Sequence, residues 1–285
     1  MTEIQADDLI IAARSPADND APRKSVWRRF EPTILGTGTI VLLLLVWQFL
    51  PDFVPMKAGT KLFFTVPSHI AGTLWDMFAT GSIWKPLGVS ASAFAIGLAM
   101  AIVVGLPLGV LLGRSATLNA MVDPFITAFN ATPRLVFLPL LMLWFGIGIW
   151  SKVAVVFLGA LFPLLINTYE GVRNADKLLI NVVRSFGAGE WDIARLVVVP
   201  NSLPFIIVGL RLAIGRAVLG VVVSEFFGSQ EGLGVVMVRA ASGFKVDVVF
   251  AGLIVFAGLS LLMTALVKVI EDRMSRWRPQ HSNGD

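Results

Sequence analysis

Cysteine is missing from the chain altogether, which removes disulfides and thiolate metal sites from consideration. Histidine is nearly missing too. His69 and His281 stand far apart, the second in a polar tail, so the sequence argues against a metal centre. No Gly-x-x-x-x-Gly-Lys-Ser/Thr stretch occurs, so there is no phosphate-cradling loop of that type. Without a thiol, a His cluster or paired carboxylates inside its apolar runs, the chain offers no catalytic constellation, and no enzyme activity is expected of it. The net charge of +4 is no argument for nucleic acid, because the cations follow the pattern of a membrane topology.

What is abundant is apolar surface. Hydrophobic residues make up 56% of the 285, and the mean hydropathy is +0.79. Apolar runs of about 20 residues recur, the length needed to cross a bilayer as a helix. They are too long and too uniformly apolar for alternating barrel strands, so the expected fold class is an all-α integral membrane protein. Six spans are expected, near 34–50, 89–112, 135–149, 153–168, 205–226 and 248–269. The third is interrupted at its start by Asn130 and Pro133. The first is too long for a signal-peptide core and reads as an uncleaved span. No internal repeat is visible.

Cation placement orients the spans. With residues 1–30 inside, fourteen Lys and Arg fall on the cytoplasmic side against six outside. Both ends are therefore expected in the cytoplasm, and so is the long polar insert at 171–203.

That insert is the most informative stretch: Asp176–Pro204 reads DKLLINVVRSFGAGEWDIARLVVVPNSLP. Leu178, Leu179, Val182, Val183 and Phe186 recur at helical spacing and predict one apolar face. Gly187 is placed to end this helix with a positive φ. Glu190 and Asp192 suit the first turn of a second helix, with Trp191, Ala194 and Val198 on one face and Pro200 as its stop. Two short helices joined at a glycine can present a knuckle to a groove in another protein. The competing account is an amphipathic hairpin lying on the membrane, held by Arg184, Arg195 and Trp191.

The insert resembles the cytoplasmic loop of permease subunits of ATP-binding-cassette (ABC) importers, whose signature is Glu-Ala-Ala, three residues, Gly, nine residues, Ile-x-Leu-Pro. Gly187 and Pro200 match at the right spacing. Val197 and Val199 fill the Ile and Leu slots, while Asn181, Val182 and Val183 replace Glu-Ala-Ala, so no role of that glutamate carries over. GLPLGVLLGRS (Gly105–Ser115), DPFITAFNATPRLVFLPLLMLWFGIG (Asp123–Gly148), SLPFIIVGLRLAIGRAVLGVVVSEF (Ser202–Phe226) and TVPSHI (Thr65–Ile70) are similar to the sulfonate, taurine and nitrate branch of these permeases.

The resemblance implies a type I importer permease of about six transmembrane helices in the bacterial inner membrane. It implies a cytoplasmic tail at 1–30, a first span and the start of an outer loop at 31–64, a permease core at 65–271, and a second cytoplasmic tail at 272–285. Its implied partners are two ATPase subunits, a second permease copy (a homodimer being the commoner arrangement) and an extracytoplasmic binding protein. No cofactor is expected on this chain, with ATP and Mg held by the partner subunits. The implied ATPase-docking residues are Asn181, Val182, Arg184, Ser185, Phe186, Gly187, Ala188, Glu190, Trp191 and Pro200.

Polar groups inside the spans are the candidates for a solute pathway, since a charge in the bilayer is costly and often functional. They are Asn130, Thr132 and Arg134 beside Pro133, together with Arg211, Arg216 and Glu225. A structural account competes, in which the arginines pair with Glu170, Glu225 or a loop carbonyl. The glycine series 105/109/113 and 209/215/220 read as close helix packing. The alternative function is a gradient-driven secondary transporter, which needs mid-membrane carboxylates; Asp76, Asp123, Glu170, Glu225 and Asp247 all fall near span ends or in loops.

Overall fold

A computed structural model describes residues 26–54, 57, 59 and 62–274, with the side chains of 26–33, 134, 135 and 274 outside that description. Of the tails expected at 1–30 and 272–285, residues 1–25 and 275–285 lie outside that description. The chain divides into two units, Met1–Lys57 and Ala58–Asp285. The described part of the first is one helix, α1 (Val26–Phe53), whose apolar side chains from Ile34 onward are mostly exposed, as befits a helix solvated by lipid.

The second unit is helical throughout its ordered elements. α2 (Pro67–Ala79), α3 (Trp84–Arg114) and α4 (Ala116–Ala131) lead to a 3₁₀ turn (Arg134–Phe137). α5 (Leu138–Phe145), α6 (Ile149–Arg173) and α7 (Lys177–Ser185) follow, then α8 (Glu190–Gly228), α9 (Leu233–Ser242) and α10 (Val246–Met274). No strand occurs among the described residues.

The core is α6 gripped between α3 and α8. Lipid supplies no hydrophobic force between helices, so their backbones must approach closely to gain packing energy, and small residues permit it. A Cβ at Gly97 would stand 2.6 Å from Val156 Cγ1, and one at Gly109 would stand 2.6 Å from Thr168 Cβ. On the other side, a Cβ at Gly209 would stand 2.8 Å from Asn167 Cβ, and one at Gly220 would stand 3.2 Å from Val156 Cα. The expected glycine packing holds at 105, 109, 113, 209 and 220 but not at Gly215, around which nothing lies within 4 Å.

The order of these contacts fixes the topology. Residues 97 and 109 of α3 meet 156 and 168 of α6, so α3 and α6 run parallel; 209 and 220 of α8 meet 167 and 156, so α8 runs antiparallel. Because α3 and α6 start at the same end, the chain between them must return across the whole thickness. It does so in pieces: α4 lies along α6 with Asn119 at Tyr169 and Phe129 at Phe162, and α5 packs Leu138 and Leu141 near Val155.

The third expected span is thus a broken crossing and not one helix over 135–149. Among the described residues, five helices are long and apolar enough to span on their own. The physical reason is Pro133, which forces Thr132 out of the helical region (φ −73°, ψ 130°) and ends α4.

Pro200 corrects a second expectation. It does not stop the helix from Glu190; a π turn over Ala194–Val198 carries that helix into the long apolar segment, leaving Pro200 in the first turn after the bulge. A proline is tolerated there because no α-type donor is required of it.

At the end of the bundle opposite α7, a buried ion pair ties the core together. Lys152, in the first turn of α6, lies 3.2 Å from Glu225 near the end of α8, and both side chains are almost fully buried. Lys152 is one of the six cations counted outside from the sequence, and Glu225 one of the solute-pathway candidates. Instead the Ser90 hydroxyl donates to the Glu225 carboxylate (2.8 Å) and accepts from the Leu233 N–H (2.9 Å). The Gly234 N–H also donates to Glu225 (2.7 Å), and Lys152 donates to the Glu231 carbonyl. Four elements, α3, α6, α8 and α9, meet at this carboxylate.

Removing one partner of such a pair strands a buried charge and costs about 3–5 kcal/mol, whereas neutralising both costs less. Lys152→Met and Glu225→Gln alone should each lower the thermal transition of the detergent-solubilised chain markedly, and the double variant should recover much of the loss. Additive losses in the double variant would show that the two charges do not depend on each other.

Candidate functional site

α7 ends at Gly187 as the sequence implied, and its start is capped by a residue the sequence reading left unassigned. The Asp176 carboxylate caps its start, accepting from the N–H groups of Leu178 (2.7 Å) and Leu179 (3.4 Å). Gly187 takes φ +84° past its end. The Gly187 N–H donates to Arg184 O (3.0 Å) and the Ala188 N–H to Val183 O (3.3 Å), the pair of bonds that defines a Schellman C-cap. A side chain at 187 would meet nothing within 4 Å, so the glycine is required by its backbone conformation and not by space.

The loop has two apolar sides, not one. Val183 faces inward with Ile180 and Ala188, packing on Val172, Ala175, Ile193 and Val198. Leu178, Leu179, Val182 and Phe186 are left outside, and Phe186 is 87% exposed. Trp191, expected on one face with Ala194 and Val198, is 76% exposed while they are buried. The inward side anchors the loop and the outward side presents bare apolar surface.

Glu190 pins the geometry. Its carboxylate accepts from Arg184 and from Arg114 at the end of α3, both at 2.8 Å. At 39 residues α8 is roughly twice the length a bilayer needs, so its start stands outside the membrane. There the Arg184 hydrogen bond, with Arg114 behind it, holds the Glu190 carboxyl below its ordinary range. Asn181 and Ser185 are exposed on α7, the Ser185 hydroxyl donating to the Asn181 carbonyl (3.0 Å).

The span candidates separate into two groups. Arg211 pairs with Glu271 of α10, a partner the sequence reading did not consider. Glu225 belongs to the buried ion pair. Asn130, Thr132 and Arg216, in contrast, line one cavity of about 280 Å³ together with Pro133, Val155, Gly159 and Val223. The Arg134 side chain lies outside the description.

A Cβ at Gly159, near the middle of α6, would stand 3.1 Å from the Arg216 carbonyl, which puts the cavity at mid-depth and level with the break after α4. Arg216 is exposed and has no carboxylate partner among the described residues. Irregular backbone at this depth is tolerated where it borders a cavity. The spacing Arg216, Leu219, Gly220, Val223 is one helical face, and Val155 and Gly159 another. That signal was available in the sequence and went unread. Nothing local, by contrast, announced Lys152 as the partner of Glu225.

Comparison with known proteins agrees with this arrangement. Residues 105–276 match the family described as binding-protein-dependent transport system inner membrane component. The putative aliphatic sulfonates transport permease protein SsuC of Bacillus subtilis (strain 168) is 31% identical, covering 91% of this chain and 93% of its own. The taurine transport system permease protein TauC of Escherichia coli (strain K12) is 28% identical, covering 88% and 92%. Relatives named for other solutes also match.

An inward-facing structure of the MetNI methionine ABC transporter superposes with a TM-score of 0.58 at 19% identity, over 78% of this chain and all of that one, a likeness of fold. With its apolar helices, the chain is a multi-pass inner-membrane transport component and not an enzyme. It belongs to the binding-protein-dependent inner membrane components, the permeases of ABC importers.

Proposed function

We propose that the chain is the permease through which an ABC importer brings a small anion, of the sulfonate, taurine or nitrate kind, into the cell. The observation that carries the ATP-driven reading is the exposed apolar edge of the loop, Leu178, Val182, Phe186 and Trp191, held rigidly by the Gly187 cap and the Glu190 clamp. A soluble ATPase subunit covers that edge, one for each of two permease copies. ATP and Mg bind there and not on this chain. An extracytoplasmic binding protein delivers solute to the opposite face, and both termini lie in the cytoplasm with the loop.

The solute class rests on Arg216. An arginine at mid-helix costs at least roughly 2.5–3.5 kcal/mol if lipid surrounds it. That cost is avoided where the residue faces a polar pathway, and a fixed cation there favours anions. Asn130 and Thr132 add hydrogen-bonding groups at the same cavity. Its volume falls at the low end of roughly 300–1,000 Å³ ligand sites, which suits a solute of few heavy atoms. A gradient-driven mechanism lacks its coupling group: the one buried carboxylate among the described residues, Glu225, is committed to Lys152.

Gly187→Asp should leave the permease in the membrane but abolish solute uptake and co-purification of a Walker-motif ATPase from native membranes. A variant that still captures the ATPase and transports normally would remove the loop from the coupling role. Arg216→Ala should reduce anion uptake at least tenfold with assembly intact, and Arg216→Lys should restore part of it. Unchanged uptake kinetics in the alanine variant would return Arg216 to a structural role.

A further inference from the structure

A second cavity belongs to neither the solute pathway nor the exposed docking edge. It measures about 880 Å³ and is an open cleft bordered by the end of α3, the start of α4, the end of α6 and the inner side of the α7–α8 loop. Four cations line it, Arg114, Arg173, Lys177 and Arg184, against a single carboxylate, Glu190. Glu190 is shared between Arg114 and Arg184. Arg173 and Lys177 have no carboxylate partner among the described residues, and the nearby Asp176 is occupied in capping α7.

Tyr169 brings a hydroxyl to the same wall. Its hydroxyl oxygen accepts from Asn119 Nδ2 (3.1 Å) and from Arg173 Nη1 (2.7 Å). Two acceptor bonds leave the phenolic proton to donate, and no described group receives it. Tyr169 is half-buried on the cavity wall. A donor hydroxyl, a guanidinium and an ammonium thus converge on one space at the end of two membrane-length helices.

The position selects the ligand. Arg114 and Arg173 close the parallel helices α3 and α6, so the cavity lies at the bilayer boundary on the loop side. Phosphate-bearing headgroups occupy that depth, and basic pockets between spans at that boundary are suited to them. We propose that this cavity binds a phosphate group, supplied by an anionic phospholipid headgroup, with Arg173, Lys177 and the Tyr169 hydroxyl as its donors. The lipid then bridges the membrane-spanning helices to the base of the docking loop, so its presence stiffens the element that meets the ATPase.

The test uses the full chain purified in mild detergent, delipidated, and titrated separately with phosphatidylglycerol, phosphatidylcholine and inorganic phosphate while its thermal transition is followed. Phosphatidylglycerol should raise the transition well above phosphatidylcholine. Arg173→Gln combined with Lys177→Gln should weaken the effect by roughly ten- to thirtyfold in apparent affinity, the loss expected for two cations at a membrane surface. Tyr169→Phe should weaken it less, measured as the phosphatidylglycerol shift relative to the variant's own unliganded transition, which the lost bonds to Asn119 and Arg173 will lower.

Saturation by inorganic phosphate alone, lost in the same variants, would keep the phosphate site but transfer it from lipid to a soluble source. Equal stabilisation by both phospholipids, or a phosphatidylglycerol effect untouched by the double variant, would overturn the proposal. So would a double variant that binds lipid normally but loses a co-purifying ATPase, which would make the basic cavity a protein contact.

Discussion

Close approach of α6 to both α3 and α8 sets the terms for everything else in this chain. Helices in lipid gain packing energy only when their backbones come near, and glycines at 97, 109, 209 and 220 allow that on both sides of α6. The approach is parallel on one side and antiparallel on the other. Parallel neighbours joined in sequence demand a return crossing, and the chain supplies one that is broken after Ala131. Its break and Arg216 fall at the same depth because both lie against the middle of α6. The mid-membrane cavity is therefore a consequence of how three helices pack.

The two ends of the same core are finished differently. Away from the loop, Lys152 and Glu225 are sealed by Ser90 and two backbone N–H groups, so the charge there is spent on holding α3, α6, α8 and α9 together. At the loop end, Glu190 ties Arg114 and Arg184 in the open, where ion pairs are weak individually and useful mainly for fixing geometry. With a buried ion pair at one end and exposed contacts holding the loop at the other, the loop is the more easily displaced part.

Local features of this arrangement were legible in the sequence. The Gly187 turn depends on residues within a few positions of it, and so do the length and polarity of the spans. Long-range features were not. The separation of 73 residues between Lys152 and Glu225 leaves no periodic trace, so a lysine near a span end was counted as one more outside cation. Val183 was grouped with Leu178, Leu179, Val182 and Phe186 on one face of α7 because periodicity marks apolar residues without saying which of two surfaces covers them. Pro200 looked like a stop because the π turn that accommodates it has no sequence signature of its own.

Arg211 and Arg216, five residues apart on one helix, show why a site must be argued from partners and not from residue type. Both are cations in an apolar span, and sequence offers no reason to separate them. Packing does: Arg211 reaches Glu271 of α10, whereas Arg216 turns to the face that α4 vacates at Thr132. Had α4 continued as a helix through 135–149, apolar side chains would cover that face and an arginine there would be stranded. The proline that breaks the third crossing and the α8 arginine without a carboxylate partner among the described residues border one cavity, and each is easier to accommodate at that depth beside the other.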